Sequence, residues 1–231
     1  MGKRESVHKN RNQKKTNKNL TIIIIIAALV VVVISMIILT QNKAVGEIKI
    51  PERFVTAERN GLSLGNPNAS VQVIEFADFQ CPACVSYWSS YEPTIIAQYV
   101  DTGKILYTAS PFSFLGTGQK WDESRKSAEA AYCANDQNKF WEYRDFLFTN
   151  HNGENQGAFS KERLIAFAKA LGLDEPQFTE CLSSGKYSEQ VEKDNQFAQE
   201  MGATFTPSFL IDGKIVNANE LVQAIENSLA N

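Results

Sequence analysis

Three hydrophobic patterns follow one another along the chain. Residues 20–39 are apolar apart from Thr21 and Ser35 and hold no charge. At 1.5 Å rise per residue they would cover about 30 Å, the hydrocarbon thickness of a bilayer. A segment apolar on every side suits lipid, where the backbone must bond within the segment. One N-terminal transmembrane helix is therefore predicted. Residues 40–66 are polar and carry Gly46, Pro51, Gly61, Gly65 and Asn66-Pro67, which read as a linker ending in a turn.

From residue 67 to 231 the pattern is that of one globular domain. Val71-Gln72-Val73-Ile74-Glu75-Phe76-Ala77 predicts a buried strand. The spacing of Val85, Trp88, Tyr91, Ile95, Ile96 and Tyr99 predicts a helix that Pro93 should kink. Ile105-Leu106-Tyr107-Thr108 predicts a second strand, and residues 121–203 read as mainly helical. Within that block Ser160 is placed to N-cap a helix carrying Leu164, Ile165, Phe167, Ala168 and Leu171, with Gly172 as its stop. Phe209-Leu210-Ile211, the turn Asp212-Gly213 and Lys214-Ile215-Val216 predict a β-hairpin. A terminal helix follows through Leu221, Val222, Ile225 and Leu229. Strands on both sides of a long helical block point to an insertion, at about 120–203, rather than to two successive domains.

Composition sets outer limits. With 231 residues, 43% hydrophobic and 21% charged, the chain is no disordered polymer, collagen-like repeat or miniature held by cysteine density. The net charge of -3 hides an asymmetry: residues 1–19 hold seven of the 23 basic residues and one of the 26 acidic ones, which leaves the remainder at -9. An acidic body argues against nucleic acid as its partner. By the positive-inside rule the basic tail is cytoplasmic and the body extracytoplasmic. Rival readings of this end are a signal peptide cleaved near Ala44 and Gly46, myristoylation at Met1-Gly2, or a tail that binds nucleic acid or anionic lipid; the run is long for a signal peptide, and topology alone accounts for the basic charge.

The chemistry begins where the first strand meets the first helix, at Cys81-Pro82-Ala83-Cys84. Proline is favoured at the first helical position, which places Cys81 at the N-cap. There the unbonded N–H groups of the first turn and the helix dipole favour thiolate over thiol. Cys84, one turn on, lies inside the helix and close enough to bond Cys81. Cys81 thus reads as the attacking nucleophile and Cys84 as the resolving thiol, and the couple needs no separate cofactor. The rival use of CxxC is half a zinc site, which needs a second pair of ligands. Cys133 and Cys181 stand alone, and the histidines, His8 and His151, read as solvated bystanders, so no metal is expected. Outside the cytoplasm Cys133 and Cys181 are expected to form a structural disulfide bracing the insertion; a second redox relay and two inert thiols are the alternatives.

Gly65-Asn66-Pro67 followed by VQVIEFADFQCPAC resembles the start of the DsbA-like thiol–disulfide oxidoreductases, a branch of the thioredoxin superfamily. The resemblance continues through Ala128–Ala134 and Lys139–Tyr143 and returns at Phe205-Thr206-Pro207-Ser208-Phe209-Leu210-Ile211-Asp212-Gly213, so it covers about residues 62–231. It implies an α/β thioredoxin fold with an inserted helical domain, here preceded by the transmembrane helix. It also places Thr206-Pro207 at the family's cis-proline, which offers backbone to an extended substrate, and Glu75 at its buried acid, which relays a proton to or from Cys84. Family members often have Gly where this chain has Phe205, which bears on the shape of the groove. Strong oxidants of the family often carry Pro-His between the cysteines; Pro82-Ala83 implies a milder one. The resemblance further implies client proteins with free cysteines and a quinone-linked membrane reoxidant of the DsbB or VKOR type. A monomer is expected. A reductase or isomerase with the same chemistry, and a membrane-tethered binding or chaperone module, are the other functions compatible with the sequence.

Overall fold

The computed structural model describes residue 20 and residues 22–37, 45–52, 54–119 and 121–231. The chain divides into two units, Met1–Gly46 and Glu47–Asn231. In the first, helix α1 runs over 22–37 and its large apolar side chains are half or more exposed. Among the described residues no helix is long and apolar enough to cross a membrane. The rest of the span expected over 20–39, the basic tail and His8 lie outside the described residues.

The second unit is built on one six-stranded sheet. Its strands are β1 (Arg59–Asn60), β2 (Ser63–Gly65), β3 (Val71–Ala77), β4 (Ile105–Pro111), β5 (Ser208–Ile211) and β6 (Lys214–Val216), in the order β1-β2-β4-β3-β5-β6. β3 and β4 are parallel, with Glu75 opposite Ala109, and β5 runs antiparallel on the other side of β3, with Phe209 opposite Glu75. The β5–β6 turn uses Asp212 and Gly213, both at positive φ, as a two-residue hairpin loop that follows the sheet's twist requires.

Residues 59–65 are not linker. β1 and β2 pair with each other, and β2 then pairs antiparallel with β4, Ser63 opposite Thr108. The single apolar residue between Ser63 and Gly65 is too short an alternation to signal a strand; the pairing with β4, 45 positions away, creates it. Upstream, Val55 and Ala57 are already in the core.

Helix α2 (Pro82–Ser90) follows β3, and then α3 (Glu92–Ile95) and a π turn (Ile96–Val100) lead to β4. The expected kink is a break at Tyr91, because Pro93 lacks an N–H and its ring would collide with the carbonyl one turn earlier. Between β4 and β5 five helices form the inserted block: α4 (Glu123–Asn135), α5 (Phe140–Thr149), α6 (Lys161–Ala170), α7 (Glu175–Ser184) and α8 (Ser188–Glu200). The Ser160 hydroxyl accepts from the Arg163 N–H and caps α6. A disulfide joins Cys133 on α4 to Cys181 on α7. Helix α9 (Leu221–Leu229) ends the chain and buries Leu221 and Ile225. The main core lies between one face of the sheet and these helices; on the other face Phe76, Phe112, Ala198 and Ala203 make a smaller cluster.

Candidate active site

Strand β3 ends at Ala77, and a tight turn in which the Cys81 N–H donates to the Asp78 carbonyl at 3.0 Å delivers Cys81 to the N-cap of α2. Cys81 is in extended conformation (φ -77, ψ 119), with Pro82 starting the helix. Cys81 and Cys84 are unbonded to one another, the dithiol state. Cys81 keeps 8% of its surface exposed, while Cys84 keeps none. The hydrogen bond from the Cys84 thiol, with help from the Thr206 side chain and the backbone N–H groups of Cys84 and Ala83, outweighs burial and brings the Cys81 thiol down to about 6. Burial above all, then the neighbouring Cys81 and Glu75, holds the Cys84 thiol well above the ordinary thiol range.

Opposite the helix start, the Thr206–Pro207 peptide is cis, and the Thr206 carbonyl accepts from the Cys81 thiol at 3.3 Å. A groove of about 370 Å³ leads away from this contact, walled by Ala83, Tyr91, Phe205 and Pro207 and floored by Tyr87. Phe205 and Tyr91 are exposed.

Beneath the cysteines the structure places Glu75, fully buried on β3. Desolvation, reinforced by the nearby Glu92 carboxylate and opposed by Arg144, raises it to about 7. Arg144 itself lies in a buried group that sequence reasoning missed, pairing with Glu92 at 2.5 and 2.8 Å and with Asp145 at 3.1 Å. The available signal was Arg144-Asp145 within the aromatic run from Phe140 to Phe148, since a helix apolar on every side must bury its charges.

Asp78 was missed as well. Its buried carboxylate accepts from the N–H groups of Gln80 and Leu115, each at 2.8 Å, and from the Ser124 hydroxyl, and burial still lifts it to about 6. These bonds tie the approach to Cys81 to α4. His151 is no solvated bystander: it is half-buried, with Nε2 2.8 Å from the Gln80 carbonyl, next to Cys81. Among the described residues no group of three or more His, Cys, Asp or Glu is placed to hold a metal ion.

Residues 57–230 match the thioredoxin family. The probable disulfide bond formation protein D of Bacillus anthracis is 31% identical over 171 residues, 72% of this chain and 77% of that protein. Disulfide bond formation protein D of Bacillus subtilis is 28% identical over 173 residues, 72% of this chain and 76% of that one. The crystal structure of oxidised BdbD from Bacillus subtilis superposes with a TM-score of 0.66 at 25% identity, covering 78% of this chain and 100% of that one. That of Chlamydia trachomatis DsbA, with a TM-score of 0.62 at 22% identity over 79% of this chain and 96% of that one, shares the fold. With its helix-capping CPAC pair under a cis Thr-Pro peptide, this chain belongs to the thioredoxin family, among the DsbA-like thiol–disulfide oxidoreductases.

Proposed function

We propose that this oxidoreductase works as an extracytoplasmic oxidase of protein dithiols, tethered to the membrane by one helix over 20–39. The observation that carries the direction is the asymmetry of the pair: Cys81 is a stabilised thiolate and Cys84 a buried, reluctant thiol. Stabilising the thiolate stabilises the reduced enzyme, which makes the disulfide a better oxidant.

In the forward reaction a client thiolate attacks Cys81 Sγ in the Cys81–Cys84 disulfide, and the electron pair leaves on Cys84 Sγ. Glu75, at about 7, holds the proton that this poor leaving group needs. The client's second thiolate then attacks the client sulfur of the mixed disulfide and expels Cys81 as thiolate. The client has lost two electrons and the enzyme has gained them. Recharging runs backwards: Cys81 attacks the disulfide of a reoxidant and forms a mixed disulfide, Glu75 takes the Cys84 proton, and Cys84 attacks Cys81 Sγ and expels the reoxidant's second sulfur as thiolate, so that the two electrons pass to the reoxidant.

The groove beside Pro207 suits an extended client segment, whose backbone would meet Thr206 and whose apolar side chains would meet Tyr91 and Phe205. The side chains of Pro82 and Ala83 add no donor or cation beside the sulfur, which supports a moderate potential. The uninterrupted apolar run and the basic residues before it support the anchor with its N-terminus in the cytoplasm, and anchoring would raise the encounter rate with a quinone-linked reoxidant of the DsbB or VKOR type in the same membrane. The enzyme acts as a monomer, with Cys133–Cys181 bracing the insertion. Equilibrating the full chain in glutathione buffers, and following the Cys81–Cys84 couple by alkylation and mass, tests the direction: a potential of about -120 to -180 mV supports the oxidase, and about -270 mV makes it a reductant.

A further inference from the structure

The proton relay assigned to Glu75 raises a question of charge. Three carboxylates, Glu75 on β3, Glu92 on α3 and Asp145 on α5, are buried around a single guanidinium, Arg144. If all three were ionised the group would hold an excess of negative charge out of water, which costs far more than one protonation. One proton must therefore stay, and hydrogen bonding decides where. Glu92 takes both terminal nitrogens of Arg144, at 2.5 and 2.8 Å. Asp145 accepts from Trp88 Nε1 at 2.8 Å, Arg144 Nη2 at 3.1 Å and the Val55 N–H at 3.4 Å. Glu75 is left with the neutral Tyr107 hydroxyl as its hydrogen-bond donor, and with Arg144 Nη1 only at 3.8 Å. Arg144 is held away from it by Glu92 and by stacking on Trp141, 4.5 Å from the ring centroid. The other titratable groups facing Glu75 are Cys84 and Tyr87 on α2 and Tyr107 on β4, none of which is charged at neutral pH.

We infer that Glu92, by taking both terminal nitrogens of Arg144, is a positioning residue that leaves the proton on Glu75, the one carboxylate of the group able to pass it to Cys84. The inserted helical domain supplies the cation, and the break at Pro93 supplies its competitor. The insertion thereby takes part in the redox step without touching a client. This inference rests on the relay role of Glu75.

The test is the pH dependence of ring closure: the rate at which Cys84 resolves a preformed mixed disulfide on Cys81 in the full chain, held in detergent micelles. In the unaltered protein the rate rises with pH through the ionisation of Glu75. Glu92→Gln keeps the shape and an acceptor for Arg144 but removes a negative charge and releases the cation, so the inflection moves down by about one unit or more. Arg144→Gln moves it up; if that variant does not fold, Glu92→Gln decides alone. A variant that merely loosened the fold would lower the amplitude and leave the midpoint in place. An unmoved midpoint in Glu92→Gln, with the inflection abolished in Glu75→Gln, overturns the inference and leaves the relay standing. An inflection that survives Glu75→Gln overturns both.

Discussion

The molecule holds two cysteine pairs, and they differ in almost every physical respect. Cys81 and Cys84 sit three positions apart at a helix start, the first partly open beside a groove and the second sealed in the core near the buried Glu75 carboxyl. Cys133 and Cys181 are 48 positions apart, joined across two helices inside the insertion, each past the first turn of its own helix. What separates a reactive pair from a structural one is therefore the neighbourhood of each sulfur. A helix start and the donating Cys84 thiol favour thiolate at Cys81; burial around Cys84 favours the thiol.

The sharpest way to break the comparison is to remove one sulfur from each pair. Cys81→Ser is expected to abolish exchange with a dithiol peptide, at least a thousandfold loss on the order of what removing a covalent nucleophile costs, while the melting transition of the reduced protein moves little. The double change Cys133→Ser with Cys181→Ser should do the reverse, costing about 2–4 kcal/mol in denaturant unfolding by releasing a 48-residue loop, with exchange retained in the folded fraction.

Glu75 sharpens the comparison through pH. Its folded value of about 7 lies above its ordinary 4.5, so the folded state prefers the protonated acid. The stability that this group contributes is full below pH 4.5 and is lost as pH rises through about 7. Glu75→Gln removes that loss. It should raise stability by about 1–3 kcal/mol at pH 8, with the gain shrinking toward pH 4.5 in unfolding curves collected across the range. In the same variant ring closure by Cys84 should slow. The smallest effect is expected at the dipeptide. Ala83→His adds a donor beside the thiolate and should lower the Cys81 value by about one unit, raising the potential by about 30 mV in glutathione buffers.

Local signals carried most of the architecture and the reacting atoms. The VQVIEFA strand, the CPAC turn, the Asp212-Gly213 hairpin and the Ser160 cap each depend on residues within one turn or strand, and each is visible in the sequence. What stayed hidden depends on distant partners. β2 is a strand because β4 pairs with it, and its own three residues say nothing. His151 looked solvated until the fold brought it to the Gln80 carbonyl, 71 positions away. Arg144 and Glu92, 52 positions apart, are ordinary helix charges until the insertion closes over the sheet. The nucleophile was legible, whereas the charge balance beneath it was not, because chain connectivity fixes the first and tertiary packing the second.

The account stands on the unequal acidity of the two active-site thiols, and the most direct test is the rate of alkylation of each cysteine in the reduced full chain as a function of pH. Cys81 should alkylate with a midpoint near 6 while Cys84 stays unreactive through neutral pH. Two cysteines that alkylate together, with midpoints near the ordinary thiol value of 9.0, would contradict it.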